Sequence, residues 1–327
     1  MREITYAQAI NEAMCEEMHR DSAVFFLGED VGIYGGAFGV SGGMLEKFGP
    51  NRVLDTPISE NAFVGAAIGA AITGSRPIVE LMFSDFMAVC FDHMLNQAPK
   101  MRYMFGGKVS VPMVLRTPSG GGTGAAAQHS QSLEAIYAHI PGLKVVIPST
   151  PYDAKGLLKT AIRDDNPVIF LEQKLLYQTK AHVPQEEYTI PLGKADVKRS
   201  GRDCTVISYG RMVQMSLQAA EVLASEGIDV EVIDVRSLLP LDTQTLIESV
   251  KKTKRCVIVH EAVKFGGFGA ELLATIHESD AFYHLAAPVR RLGAASAPVP
   301  FSPMLEKHYF PTVENIVDTM REMLGKI

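Results

Sequence analysis

Short apolar runs and amphipathic stretches alternate along nearly the whole chain, a pattern that predicts parallel strands covered by helices. Ala23–Leu27, Val53–Asp55, Arg76–Leu81, Val111–Arg116, Leu143–Pro148 and Val168–Glu172 are near-continuous in apolar residues, as strands buried on both faces require. Helical spacing between them predicts helices over Thr5–Arg20, Asn61–Thr73, Asp85–Tyr103, Ser130–His139 and Ala154–Arg163. Ser149-Thr150-Pro151-Tyr152-Asp153 reads as a helix start. The pattern changes over Leu175–Gly201, which is more polar and carries Pro184 and Pro191. A linker there predicts one domain over 1–190 and a second over 201–327. In the second, strands are expected at Cys204–Tyr209, Asp229–Asp234, Arg255–Glu261 and Val289–Gly293. Helices are expected at Val213–Glu226, Thr243–Lys251, Ala270–Ser279 and from Val313. The fold class is α/β, with two domains of mainly parallel sheet.

Composition narrows the class. With 327 residues, 47% hydrophobic and 21% charged, the chain can bury large cores without metals or disulfides. A net charge of −6 argues against nucleic acid as a partner, since phosphate binding needs clustered positive charge. No apolar run of about 18 residues exists, so no membrane span is expected. Met1-Arg2-Glu3-Ile4 lacks the charged segment and apolar core of a secretory leader. Four cysteines, far apart and with no CxxC pair, suit a reducing compartment. A cytoplasmic protein is the expectation.

Candidate chemistry gathers in a few segments. Leu54-Asp55-Thr56-Pro57-Ile58-Ser59-Glu60-Asn61 reads as a strand, a Pro turn, and an acid opening a helix of small residues. That is a plausible ligand edge of a parallel sheet; equally, Glu60 could be a first-turn acid favoured by the helix dipole, worth ~0.3–1 kcal/mol. Gly65 and Gly69 on that helix fit either a tight internal crossing or a subunit contact. Ser119-Gly120-Gly121-Gly122-Thr123-Gly124 could cradle phosphate or form a close-approach loop; no Gly-Lys-Ser/Thr follows it. His129, just beyond, lies on a strand-to-helix loop where ligands gather, or is a structural hydrogen-bonder. Phe265-Gly266-Gly267-Phe268-Gly269 has the wrong spacing for a dinucleotide turn. Asp92–His93 and His182 lack metal-ligand spacing.

Asp55-Thr56-Pro57-Ile58-Ser59-Glu60, Ala127-Gln128-His129-Ser130-Gln131, Pro141-Gly142-Leu143-Lys144-Val145-Val146 and Ala161-Ile162-Arg163-Asp164-Asp165-Asn166-Pro167 occur in this order and at this spacing. Together with Ser237-Leu238-Leu239-Pro240-Leu241-Asp242, they resemble the β subunit of the thiamine-diphosphate-dependent component of 2-oxo acid dehydrogenase complexes, over essentially the whole chain. The resemblance implies a pyrimidine-binding domain followed by a transketolase-type carboxy-terminal domain. Glu60 matches the carboxyl that hydrogen-bonds the aminopyrimidine ring, Phe86 the ring packed on it, and Ile58 a neighbour. His129 matches the active-site His near the reacting carbon, able to orient a carbonyl or give a proton to lipoyl sulfur. In relatives the turn of Ala161, Ile162, Asp164 and Asn166, with the carbonyl near Met113, can hold a structural potassium ion.

The Gly-Asp-Gly motif that grips magnesium and diphosphate in this family is missing; Gly28-Glu29-Asp30 does not match it. The resemblance therefore implies an α subunit that binds Mg2+ and shares the cofactor in an α2β2 assembly, and a lipoyl acyltransferase core protein as acceptor. Glu80-Leu81-Met82-Phe83-Ser84-Asp85-Phe86, Asn96–Lys108 and Lys174-Leu175-Leu176-Tyr177 resemble the acetoin branch more than the pyruvate branch. Acetoin is the expected small-molecule substrate, pyruvate the alternative; this chain alone does not decide among these and branched 2-oxo acids. A non-catalytic nucleotide-binding or electron-transfer module is the alternative from another class.

Overall fold

The computed structural model describes residues 2–326, which form two compact units. One comprises residues 2–119 and 136–192, the other 120–135 and 193–326. The glycine-rich arm from Gly120 to Ala135 thus groups with the second unit.

The first unit starts with strand β1 (Arg2–Thr5) and helix α1 (Tyr6–Arg20). Next come β2 (Val24–Gly28), α2 (Met44–Phe48), β3 (Val53–Asp55), α3 (Glu60–Ile72) and β4 (Arg76–Glu80). They are followed by α4 (Met101–Met104), β5 (Val114–Ser119), α5 (Glu134–Ala138, whose first two residues fall in the second unit), β6 (Lys144–Val146), α6 (Pro151–Arg163), β7 (Val168–Gln173) and β8 (Lys180–Val183). The sheet order within this unit is β6-β7-β5-β4-β2-β3, every pair parallel, as the apolar runs predict. α1 is secured by a capping box between Thr5 and Gln8, and α6 by Thr150 accepting from the Asp153 N–H. Both helices bury apolar faces in one core with Phe26, Ile78, Val114 and Phe170.

One predicted helix is not continuous. Asp85–Tyr103 breaks into a 3-10 turn at Ser84–Ala88, a wide turn at His93–Gln97 and the single turn α4. Pro99 offers no amide to a helical ladder. Its carbonyl lies 2.1 Å from where a Cβ on Gly142 would sit, so two backbones meet there and only glycine fits. Gly65 of α3 likewise makes room for the His93 ring, whereas Gly69 faces nothing within 4 Å.

The second unit adds β9 (Asp196–Arg199), β10 (Cys204–Ser208), α7 (Arg211–Ala224), β11 (Val230–Asp234) and β12 (Ser237–Leu239). It ends with α8 (Thr243–Thr253), β13 (Cys256–Val263), α9 (Gly269–His277), β14 (Arg290–Ala294), α10 (Pro303–Glu306) and α11 (Val313–Met323). Its sheet runs β14-β13-β10-β11-β9, parallel except for β9 at the edge. Cys204, Val206, Val230, Val232, Val257 and Val259 share a core with α7 and α11. On the other face, the Thr205 hydroxyl meets those of Ser249 and Thr253 of α8, each at 2.7 Å.

Candidate active site

In the first unit, the carboxyl ends of the parallel strands carry the polar residues. Register sets Gly28 beside both Asp55 and Glu80, and Glu80 beside Arg116. Arg116 is fully buried; its Nε and Nη2 donate to the two oxygens of Glu172 at 2.7 and 2.6 Å, and its Nη1 to Glu80. The Tyr177 hydroxyl also donates to Glu172, at 2.7 Å. Each charge in this cluster has a partner, which is the condition for burying them. Asp55 is also engaged, accepting the Gly32 N–H at 2.6 Å.

Two acids at this edge are placed differently. Glu60 is the first residue of α3 and is 9% exposed. Glu29, directly beyond β2, is buried and accepts the Ser59 N–H, while its Oε1 has no hydrogen-bond partner among the described residues. Burial pushes the Glu29 carboxyl above the usual range, and the neighbouring Glu60 carboxylate pushes it further. Such a pair can hold a proton ready for a ligand nitrogen. Ile58 is 85% exposed and presents a bare aliphatic side chain. Phe86 stands edge-on to Phe83 at 5.5 Å, in a turn anchored by the Tyr137 hydroxyl donating to the Ser84 carbonyl at 2.9 Å. A buried acid with apolar neighbours suits a flat, partly basic heterocycle. Cys90 is no nucleophile, because burial raises its thiol to about 12.

The Ala161–Asn166 turn lies at the opposite edge of the same sheet, before β5 and β7. The Met113 carbonyl accepts the Val168 N–H at 3.0 Å, and that of Ala161 accepts the Asp164 N–H at 3.2 Å. The Ile162 carbonyl accepts from Arg76 at 3.0 Å. Asp164 Oδ1 receives both the N–H and the side-chain amide of Asn166 at 2.9 Å, and Lys144 binds the other oxygen. Each carbonyl retains a second lone pair, so this donor set suits a monovalent cation.

His129 belongs to the second unit, separate in the chain's division from Glu60, Ile58 and Phe86. It is half-buried and follows Ala126, which has φ of 61°. The glycine loop before it is not open to phosphate. Its amides form a nest already filled by this unit's own carboxylates. The Gly121 N–H donates to Glu261 Oε1 at 2.7 Å, the Gly122 N–H to Glu306 Oε1 at 2.7 Å, and the Gly124 N–H to Glu306 Oε2 at 3.0 Å. Glu261 Oε2 faces the Arg211 guanidinium at 3.0 Å. The other glycine turn is equally occupied: Cβ atoms at Gly267 and Gly269 would fall 2.7 and 2.5 Å from the His260 ring. Burial lowers that His to about 4, so it is neutral.

Glu29, the Arg116 cluster, Glu261 and Glu306 were not singled out by the sequence. For Glu29 a signal existed, since it directly follows a strand of a parallel sheet, where ligand groups collect. Among the described residues no group of three or more His, Cys, Asp or Glu could hold a metal, and no helix is long and apolar enough to cross a membrane.

Residues 2–180 match the pyrimidine-binding domain of transketolase, and residues 193–316 match the transketolase C-terminal domain. Fold and site thus define a transketolase-type two-domain protein. A solved structure, the inactive β4 tetramer of a split-gene transketolase, superposes with a TM-score of 0.81 at 23% identity, covering 98% of each chain. The chain belongs to the family of β subunits of acetoin and 2-oxo acid dehydrogenases. It is 49% identical to the acetoin:2,6-dichlorophenolindophenol oxidoreductase β subunit of Bacillus subtilis, over 99% of this chain and 98% of that protein. The 2-oxoisovalerate dehydrogenase β subunit of the same organism is 47% identical, with 99% of each chain covered. The pyruvate dehydrogenase E1 component β subunit of Rickettsia felis is 48% identical, with 98% of each covered.

Proposed function

We propose that this chain is the β subunit of a thiamine-diphosphate-dependent dehydrogenase component that cleaves acetoin and passes the two-carbon acyl unit to the lipoyl group of an acyltransferase core protein. The observation that carries the reading is the Glu29–Glu60 pair, a buried acid pair at the ligand edge of a parallel sheet with one carboxylate oxygen unspent. Thiamine diphosphate, when bound, supplies the carbanion that attacks the substrate carbonyl. Glu60 would hold the hydrogen bond to its aminopyrimidine nitrogen, with the buried Glu29 carboxyl beside it. Phe86 and Ile58 cover the pyrimidine face and exclude water. His129 gives a proton to the lipoyl sulfur as the dithiolane opens. Met113, Ala161, Ile162, Asp164 and Asn166 would hold a structural potassium ion.

An α subunit in an α2β2 heterotetramer supplies the Mg2+ and diphosphate half of the cofactor site, because no Gly-Asp-Gly motif occurs in this chain. Acetoin is favoured over pyruvate by the segments Glu80–Phe86, Asn96–Lys108 and Lys174–Tyr177. Pyruvate is the second reading, supported by 48% identity to a pyruvate dehydrogenase β subunit. Turnover of the co-expressed α and β chains with acetoin, pyruvate and 2-oxoisovalerate in parallel is the test. Acetoin should give the highest kcat/KM, and a clear preference for either oxo acid would overturn the assignment. Without its partner, the chain should show no turnover at any magnesium concentration.

A further inference from the structure

The arm from Gly120 to Ala135 is flexible by composition yet tied to its own unit at several polar points. Gly120, Gly122 and Gly124 have φ of 81°, 91° and 67°, a backbone that costs little in glycine but whose entropy must be offset by contacts. Over residues 128–132 packing supplies few of these. A cavity of about 420 Å³ lies against the arm, lined in part by Gln128, Ser130, Ser132, Val263, Val299 and Phe310. The Ser130 and Ser132 hydroxyls there have no hydrogen-bond partner among the described residues. Along this cavity, close packing does not fix the arm.

Its fixed points are polar. The Gly120 N–H donates to the Gln131 carbonyl at 3.1 Å and closes the base of the loop. At the far end, Glu134 accepts from the Tyr209 hydroxyl at 2.8 Å. Between them stand the carboxylates: Glu261 on one amide and Glu306 across two. Glu306 is itself 4% exposed, seated in α10 with its N–H on the Ser302 carbonyl at 2.8 Å. The fit is close, since a Cβ on Gly121 would lie 2.3 Å from the Phe310 ring and 3.2 Å from Glu306 Oε1. Arg211 lies over that ring at 5.4 Å and beside Glu261.

We propose that Glu306, with Glu261 beside it, is a positioning residue for His129, its carboxylate fixing the nest at Gly122 and Gly124 so that the arm presents the imidazole in one place. The inference rests on the reading of His129 as the group that serves the lipoyl handover. It explains why a loop with the form of an anion site carries its own anions: two charged acceptors hold three amides without any ligand.

The test uses the assembled enzyme and compares Glu306→Gln, Glu306→Asp and His129→Ala. Amide hydrogen exchange at Gly122 and Gly124 should speed up about ten- to a hundredfold in Glu306→Gln, the worth of hydrogen bonds to a charged group. Lipoyl-dependent kcat should fall about tenfold, with turnover to an artificial acceptor and the KM for the lipoyl domain within about twofold. Glu306→Asp keeps the charge and should recover most of the lipoyl rate; it also serves if the Gln variant does not fold. Unchanged exchange at the two glycines would show that the clamp is not holding the arm. Faster exchange with an intact lipoyl rate, in an enzyme where His129→Ala loses that rate, would overturn the positioning role. An intact lipoyl rate in His129→Ala would instead overturn the reading of His129 beneath it, which the exchange data separate from failure of the clamp.

Discussion

Glu29 and Glu60 in one unit, and Glu261 and Glu306 in the other, are all buried acids near backbone amides, yet their states are opposed. Glu306 accepts two N–H groups, and Glu261 one N–H with a guanidinium on its other oxygen. Both carboxylates are engaged within the fold. Glu29 receives one backbone N–H, has an oxygen without a partner, and shares its surroundings with a second acid that makes ionisation harder. Burial alone therefore does not mark a reactive carboxyl. What marks Glu29 is an oxygen without a hydrogen-bond partner and a second acid where Glu261 has a guanidinium.

The comparison is broken most directly at Glu60. Glu60→Gln should keep the fold and the assembly but slow cofactor C2 hydrogen–deuterium exchange by about 10²–10⁴-fold, the range for a lost acid–base group. The amide keeps the size of the side chain and cannot give up a proton to a ring nitrogen in the same way. An unchanged exchange rate would put Glu60 with the structural acids.

Arg116 tests the converse, a charge cluster that is entirely satisfied. Arg116→Met should destabilise the first unit by about 3–5 kcal/mol, because Glu80 and Glu172 would be left buried without their cation. Denaturant unfolding reads this. A double change with Glu172→Gln should recover part of the loss, and no recovery would mean that packing of the long side chain was the main contribution.

The sequence made Glu60 readable, but neither its neighbour Glu29 nor the second pair, for a physical reason. Glu60 is announced locally, by the strand Val53–Asp55, the Pro turn and the start of α3, all within ten residues. Strands buried on both faces announce themselves too, since each must be apolar throughout. The clamp joins residues 184 apart, and nothing near Glu306 indicates that Gly122 will meet it. The edge strands β1, β8 and β9 are partly exposed and polar, so no apolar run betrays them. Further along the same segment Pro99 meets Gly142, again a contact between distant segments. Local rules recover what is locally caused.

Glu134 sharpens the comparison, because it is hydrogen-bonded like a structural acid and has a raised pKa like a reactive one. Burial pushes its carboxyl up to about 7, despite the Tyr209 hydroxyl that donates to it. A group whose folded pKa exceeds its unfolded value favours the folded state in its protonated form. Its contribution is then complete below the ordinary carboxyl range near 4.5 and is lost as pH rises to about 7. At pH 8 the buried carboxylate should cost up to about 3 kcal/mol, at ~1.4 kcal/mol per unit of pKa. Glu134→Gln keeps an acceptor for Tyr209 and never ionises. It should therefore raise the unfolding midpoint at pH 8 and leave it nearly unchanged at pH 4.5. If the variant were less stable by the same amount at both pH values, the carboxylate would be an anchor for Tyr209 in the manner of Glu306, with its charge accommodated by the fold.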